Sequence, residues 1–525
     1  MGNKLLPELL PKRSPHQGFK LFLAIVLILG IFFRFVNLDR KVYWQDEAAT
    51  SLRISGYSKI EFVQEVYNSQ PITVGELRER YQAPNQSKTL GDTLQVLMDK
   101  AEHPPLYYLM ARFWAQMFGG SVTAMRSLPA FISLLAFPAM YWLCQELFAA
   151  PLVSGMAIAL IAVSPIHVLY AQEARQYSLW IVIILLSSAA LLRAMRQKNI
   201  GSWAIYGITL VLGCYTHLFF ALIALGHGLY ILVDQDFKLN KIVRDYLVAS
   251  AAVILAVAPW IWVFIQYKNN SHYFDSITTA LGREIPVDEL MGKWFRSVNR
   301  FFHDADLGTA NIILVLFGAY SFYFIYRQTT KRVWWFVFTL FGVTALTLGL
   351  PDLITGGQRS VRTRYLIPCA LALELSIAYL LTVKLTQFTK VGQQRLWQFV
   401  AVLLISAGVI SNSISSQAES WWNKNMAETK YYPSIAAVIN QGSHPLVISD
   451  TSETNILSLS YLLNPEVKLQ LVSEGTWPNL AEHKGNQTRF VFAASDALRN
   501  HLQGEKNLIL NRVFEQKRSQ LWEIN

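Results

Sequence analysis

Apolar residues in this chain gather in long runs separated by short polar breaks. Four runs, Leu147–Gln172, Gln176–Leu192, Asn199–Val233 and Leu396–Ala418, contain no Asp, Glu, Lys or Arg. Each approaches or exceeds the roughly 20 residues that a helix needs to cross a bilayer. Extending the pattern predicts eleven spans, near 20–36, 127–146, 152–168, 177–194, 201–216, 218–233, 247–266, 309–326, 333–350, 366–383 and 397–414. The run Pro105–Phe118 fails the same test. It would reach only about 21 Å as a helix, against a hydrocarbon core of about 30 Å, and it carries Arg112 near its middle. It reads as a helix at the membrane edge. The first run follows Lys12, Arg13 and Lys20 and ends in Phe33-Arg34-Phe35, with no small-residue cleavage pattern. That predicts a retained span and not a removed signal peptide.

Charge tests the count. With the amino terminus inside, the inside segments are 1–19, 147–151, 195–200, 234–246, 327–332 and 384–396. They collect Lys4, Lys12 and Arg13; Arg196 and Lys198; Lys238, Lys241 and Arg244; Arg327, Lys331 and Arg332; and Lys384, Lys390 and Arg395. This is the positive-inside pattern, and it inverts after residue 118 if 105–118 is counted as a span. The segment 201–233 is short for two spans, but two spans with a tight turn near His217 keep the basic clusters on one face. The outer face then receives loops 37–126 and 268–308, the turn 169–176, the loop 351–365 and the tail 415–525.

The chain is thus expected to be mainly α: a polytopic helical bundle over 1–414, followed by a small extracytoplasmic α/β domain over 415–525. In the tail, Pro445–Asp450 and Arg489–Ala493 read as strands. Glu453–Leu463 and Asp496–Leu502 read as helices, and Val513–Ile524 as a hairpin or final strand.

Composition agrees. Of 525 residues, 53% are hydrophobic and only 15% charged, where a soluble chain has about 25% charged. The net charge of +11 sits largely in the short loops, which argues against nucleic acid as a partner. Cys144, Cys214 and Cys369 all lie in apolar runs, so buried thiols are expected in preference to disulfides or a metal site.

Three polar strings at span edges carry the candidate chemistry, because charge placed against a membrane is costly and usually functional. Tyr43-Trp44-Gln45-Asp46-Glu47 follows the first span. Glu102-His103-Pro104-Pro105-Leu106-Tyr107-Tyr108 opens the short helix. Ser164–Tyr177 closes with Glu173, Arg175 and Tyr177. All three fall on the predicted outer face, where Arg362, Arg364 and Tyr365 open the tenth span and Arg359 lies nearby. Asp46, Glu47 and Glu173 are candidate bases or metal ligands. His103, Arg175, Arg362 and Arg364 suit a phosphate. Tyr43, Trp44, Tyr107, Tyr177 and Tyr365 offer aromatic faces to a sugar ring. No Gly-rich phosphate loop is present, which disfavours a nucleotide.

In these strings, and in Arg364-Tyr365 at the head of a late span, the chain resembles the GT-C membrane glycosyltransferases. The likeness points to the family-39 branch that includes protein O-mannosyltransferases and the aminoarabinose transferase acting on lipid A. It covers roughly residues 30–370 and leaves out the tail. It implies an outward-facing site in the plasma (inner) membrane that uses a polyprenyl-phosphate sugar donor, with a lipid, glycan or protein as acceptor. Asp46 matches the family's acidic position in the first loop, and His103 a position that is basic in relatives. Relatives often have an Asp in the second outward loop, where this chain has Glu173 and Arg175; a divalent cation held by Asp46 or Glu173 is therefore left open. The competing class is a transporter or lipid flippase, which predicts ionisable residues near mid-membrane and broken helices in paired halves. No paired halves are visible, and His217 and His227 read as helix-packing residues.

Overall fold

The computed structural model describes residues 17–270, 282–387, 391–424, 426–473, 475–478, 487–505, 508–516 and 519–524. Lys4, Lys12, Arg13 and Lys390, and the middle of the 268–308 loop, lie outside the described residues.

Eight described helices are long and apolar enough to cross a membrane: Gly18–Phe35, Val122–Phe148, Tyr177–Gln197, Lys241–Asn269, Gly308–Gln328, Lys331–Ile354, Thr363–Gln387 and Val391–Gln417. The pair Pro151–Val163 and Pro165–Ala171, bent by 60°, makes a ninth if taken as one span. The shorter apolar helices Ile200–Cys214 and Phe220–Asp234 fall on the two spans predicted on either side of His217. Each of the eleven predicted segments therefore has a helix. The protein is a multi-pass membrane protein. Pro105–Phe118 is a separate helix of 14 residues.

The chain forms two compact units. One contains 1–36, 101–106 and 129–414; the other contains 37–100, 107–128 and 415–525.

In the first unit the bend at Ser164 has a specific cause. Ser164 takes an extended conformation (φ −61°, ψ 122°) before Pro165, as a residue preceding proline tends to. Pro165 has no N–H to give to the carbonyl of Ile161. The arginine of the first span supplies the missing donor. Arg34 Nη2 donates to Ile161 O at 3.0 Å, and Nη1 donates to Ala162 O at 2.6 Å and Gly30 O at 2.7 Å. Asn412 Nδ2 donates to Val163 O at 2.8 Å. The three carbonyls around the break are thus satisfied inside the membrane part, where water cannot do it. The helices meet closely there: a Cβ on Gly30 would stand 2.6 Å from Ala162 O. A second buried polar contact joins His167 Nε2 and Glu374 Oε2 at 2.8 Å.

The second unit is built on a six-stranded sheet of β1 (Ile72–Thr73), β2 (Leu446–Ser449), β3 (Lys468–Leu471), β4 (Arg489–Phe492), β5 (Leu510–Gln516) and β6 (Ser519–Ile524), in the order β1-β3-β2-β4-β6-β5. β2 is central and parallel to β3 and β4; β1 and the β5–β6 hairpin pair antiparallel. Leu446, Ile448, Val491, Leu498, Leu502 and Trp522 pack one core. The strands expected at 445–450 and 489–493 and the hairpin at 513–524 are present, and so are helices Glu453–Ser460 and Asp496–Asn500. The loop that follows the first span is part of this unit too. Its β1 joins the tail's sheet, and the tail grips its helices: Gln82 Nε2 donates to Leu457 O at 2.8 Å, Ser458 Oγ to Tyr43 O at 2.6 Å, and Tyr67 Oη to Thr451 O at 2.7 Å. Arg112 of the short helix is buried against the same loop, donating to Ile54 O at 2.6 Å, Thr93 Oγ1 at 2.9 Å and Lys88 O at 2.7 Å. That use of its charge explains an arginine in an otherwise apolar run.

Candidate active site

The candidate residues fall into two groups, one in each unit. In the second unit, Asp46 and Glu47 occupy the first turn of helix Gln45–Ser55. Neighbouring helical positions point about 100° apart, so the two carboxylates have different surroundings. Glu47 is fully buried. Its Oε1 accepts from Arg126 Nε at 2.8 Å; its Oε2 accepts from Arg126 Nη2 at 2.7 Å and Lys424 Nζ at 2.6 Å. Burial alone would push this carboxyl up. The charges and hydrogen bonds of Arg126 and Lys424 outweigh it and hold the group at about 2. Arg126 also donates to the carbonyls of Leu38, Lys41 and Val42 at 2.7–2.8 Å, pinning the segment that leads into the helix. Asp46 is half-buried, and Thr50 Oγ1 donates to its backbone carbonyl at 2.9 Å.

The aromatic residues expected as sugar platforms in this unit are packed away. Tyr43, Trp44 and Tyr107 are each at most 1% exposed. The Tyr43 hydroxyl meets Ser51 Oγ at 2.8 Å, and its ring packs on Tyr461 with centroids 4.3 Å apart. Large flat side chains near a span end serve packing as readily as ligand contact, and sequence does not separate the two.

In the first unit, the turn after Ala171 carries Glu173 and Arg175, both buried. Gln172 holds the turn in place through hydrogen bonds of 2.8 Å to Phe33 O and Val36 O at the end of the first span. Tyr170 and Tyr177 pack together at 4.9 Å. Glu173, Arg364 and Arg300 all act electrostatically on Tyr170. Arg364 lies over Tyr365 at 5.4 Å, and Tyr365 packs on Phe219 at 4.7 Å. Arg362 is half-buried beside them in sequence. Arg359 is held by the loop itself, its Nη1 3.0 Å from Asp352 Oδ1 and 3.0 Å from Gly356 O. His103 is half-buried in the turn before Pro105, with Nε2 3.8 Å from Glu102 Oε1.

Two residues of this group escaped the sequence reading. Arg300, at the end of the 268–308 loop, donates to Thr363 Oγ1 at 3.3 Å, and burial lowers its pKa. The signal was available: it is one more arginine on the predicted outer face. His217 was read only as packing. Its ring stacks on Trp180 at 4.2 Å and 9°, and its Nδ1 accepts the Phe219 N–H at 3.1 Å. The proton of the neutral ring must then sit on Nε2. Burial, then the charges of Arg175 and Arg364, push its pKa down to about 3, so His217 is a neutral N–H donor among arginines. His227, in contrast, is engaged by Ser188 and Tyr206 at 3.3 and 3.2 Å, as a packing residue would be. Among the described residues, no three His, Cys, Asp or Glu side chains gather as a metal centre would require.

Residues 102–262, which include the His103 and Arg175 strings, match the model of the dolichyl-phosphate-mannose-protein mannosyltransferase family. The fold matches ArnT from Cupriavidus metallidurans, solved bound to undecaprenyl phosphate, over 97% of this chain and 98% of that one, with a TM-score of 0.53 and 14% identity. The chain has the fold of a GT-C membrane glycosyltransferase. The apo form of the same ArnT matches this chain with a TM-score of 0.53 and 13% identity, over 96% and 98% of the two chains. The oligosaccharyltransferase of Archaeoglobus fulgidus, solved in complex with Zn and sulfate, matches with a TM-score of 0.50 and 11% identity, over 92% of this chain and 68% of that one. At these identities the structural likeness is one of fold. No curated protein sequence matches.

Proposed function

We propose that this GT-C enzyme moves a sugar from a polyprenyl-phosphate donor to an acceptor hydroxyl on a lipid, glycan or protein. The observation that carries the reading is the group formed by Arg175, Arg300 and Arg364 with Tyr170 and the neutral His217. Such a group suits a phosphate that gains charge as its bond to the sugar breaks. Guanidinium forks bind phosphate oxygens in pairs, and the His217 Nε2–H adds a donor that does not titrate at neutral pH. His103 and Arg362 extend the same role, and the half-buried Tyr365 would contact the sugar, whereas Tyr177 is buried against Tyr170. The co-crystallised undecaprenyl phosphate of ArnT supports a lipid phosphate as the leaving group.

In this scheme the Asp46 carboxylate takes the proton of the acceptor hydroxyl. The oxygen attacks the anomeric carbon, and the bond from that carbon to the phosphate oxygen breaks. The electron pair stays on the polyprenyl phosphate, and the configuration inverts. Glu47 becomes a positioning residue: held by Arg126 and Lys424, it fixes the helix turn from which Asp46 projects. Glu173 assists or orients. The basic clusters at Arg196–Lys198, Lys238–Arg244 and Arg327–Arg332 support an orientation with the amino terminus in the cytoplasm and the tail outside, in the plasma (inner) membrane. The scheme uses the side chains of this chain alone. Activity that falls on chelation and returns with Mg²⁺ or Mn²⁺ would add a divalent cation at Asp46 or Glu173.

The test is Asp46→Asn in purified protein given a polyprenyl-phosphate sugar and a model acceptor. Turnover is expected to fall by about 10²–10⁴-fold, the range for loss of a general base, with donor binding intact. Near-normal turnover would remove Asp46 from the role.

A further inference from the structure

Away from the candidate residues, the first unit holds a groove of about 670 Å³ between helices Ile200–Cys214 and Lys241–Asn270. Its volume is within the roughly 300–1,000 Å³ usual for sites that take small molecules. Trp203, Gly207, Val211 and Val253 supply apolar wall. Gly207 keeps it open: even a Cβ there would already stand 3.8 Å from Val253, so a longer side chain would enter the groove.

The polar groups of the lining are gathered at one end. They are Lys198, Lys241 and Asp245. Lys241 Nζ donates to Lys198 O at 3.2 Å, which holds both lysines at the same rim. Asp245 turns toward Arg244, 3.6 Å away. The rim therefore carries a surplus of positive charge above an apolar trough. Both helices also begin at this end, so their partial positive charges add to it. The complementary ligand has an anionic head and a hydrocarbon tail.

We propose that this groove binds one anionic phospholipid of the surrounding bilayer, with its phosphate at Lys198 and Lys241 and an acyl chain along Trp203, Gly207 and Val253. Basic pockets between membrane helices are recurrent sites of this kind. The proposal stands apart from the transfer reaction and does not depend on it.

Native mass spectrometry of the full chain offered equal phosphatidylglycerol and phosphatidylcholine tests it. Two lysines near a membrane surface predict a roughly 10- to 30-fold preference for phosphatidylglycerol. Lys198→Gln with Lys241→Gln should abolish the preference, and Lys198→Arg with Lys241→Arg should retain it. Gly207→Leu should lower retention of both lipids by filling the trough. Gel filtration confirms that each variant is intact. Equal retention of the two lipids by the native chain would overturn the proposal. A preference that survives the double glutamine change would do the same, as would polyprenyl phosphate recovered in place of the phospholipid.

Discussion

Buried charge is used in two opposite ways in this molecule. In the second unit, Glu47 meets Arg126 and Lys424 over distances of 2.6–2.8 Å, and none of the three side chains is more than 1% exposed. Every charge there is spent on another part of the same chain. In the first unit, Arg175, Arg300 and Arg364 cluster around Tyr170 and His217, with Glu173 acting on Tyr170 and Asp304 and Asp306 on Arg300. The first arrangement holds a shape; the second suits an anion brought from outside. Burial depth therefore does not mark a functional charge. What marks the first group is that Arg126 and Lys424 spend their donors on Glu47 and, for Arg126, on the carbonyls of Leu38, Lys41 and Val42 as well.

That contrast can be broken most forcefully at Arg126. Arg126→Ala leaves the buried Glu47 carboxylate to Lys424 and takes the donor from the carbonyls of Leu38, Lys41 and Val42; breaking a buried ion pair costs about 3–5 kcal/mol. A large fall in the thermal midpoint of detergent-solubilised protein is expected; an unchanged midpoint would show that the cluster is not structural. Arg364→Ala should behave in reverse. Loss of one preorganised donor to a developing anion costs about 10²–10³-fold in turnover, with a smaller fall in the thermal midpoint than Arg126→Ala gives. If stability falls and turnover per folded molecule does not, the assignment of the two groups is wrong.

A smaller effect is expected at His217. Truncation to Ala should cost roughly 10- to 100-fold in kcat/KM, as for a hydrogen bond to a charged group. His217→Gln, which keeps an N–H, should recover part of the loss. Since the ring is already neutral, with a pKa near 3, the native rate profile should show no inflection near 6.5 that His217→Gln abolishes. The mildest test is acid. The Glu47 pKa is lowered in the fold from an ordinary 4.5 to about 2, so its stabilising contribution is complete above 4.5 and fades as pH falls toward 2. Melting curves between pH 6 and 3 should show this loss, and Glu47→Gln should flatten it from a lower starting midpoint.

Much of the architecture was legible in the sequence because a membrane imposes a long, one-dimensional signal. Each predicted span has its helix, and Arg112 marked Pro105–Phe118 as unlike the others. What failed was local choice without a local cause. Asp46 and Glu47 are adjacent and chemically alike; only Arg126 and Lys424, far away in sequence, decide which one is sequestered. Tyr43 and Trp44 looked like ligand platforms because their burial depends on partners such as Tyr461. β3 is four residues long and β1 only two, too short for alternation to register. Glu374 lies inside an apolar run, where an ionisable residue is a functional candidate by default. It would have suggested the rival transporter reading; its pairing with His167 gives it a structural use.

Lys424 reaches Glu47 across 377 residues, and β1 enters the sheet only when β3 exists. During synthesis, the first loop must therefore wait on its side of the membrane until nearly the whole chain has been made. A carboxylate committed to the interior stays without its second cation through that interval. The tail is therefore the last fastener: a chain cut before residue 424 lacks both the second cation of Glu47 and the strand that receives β1.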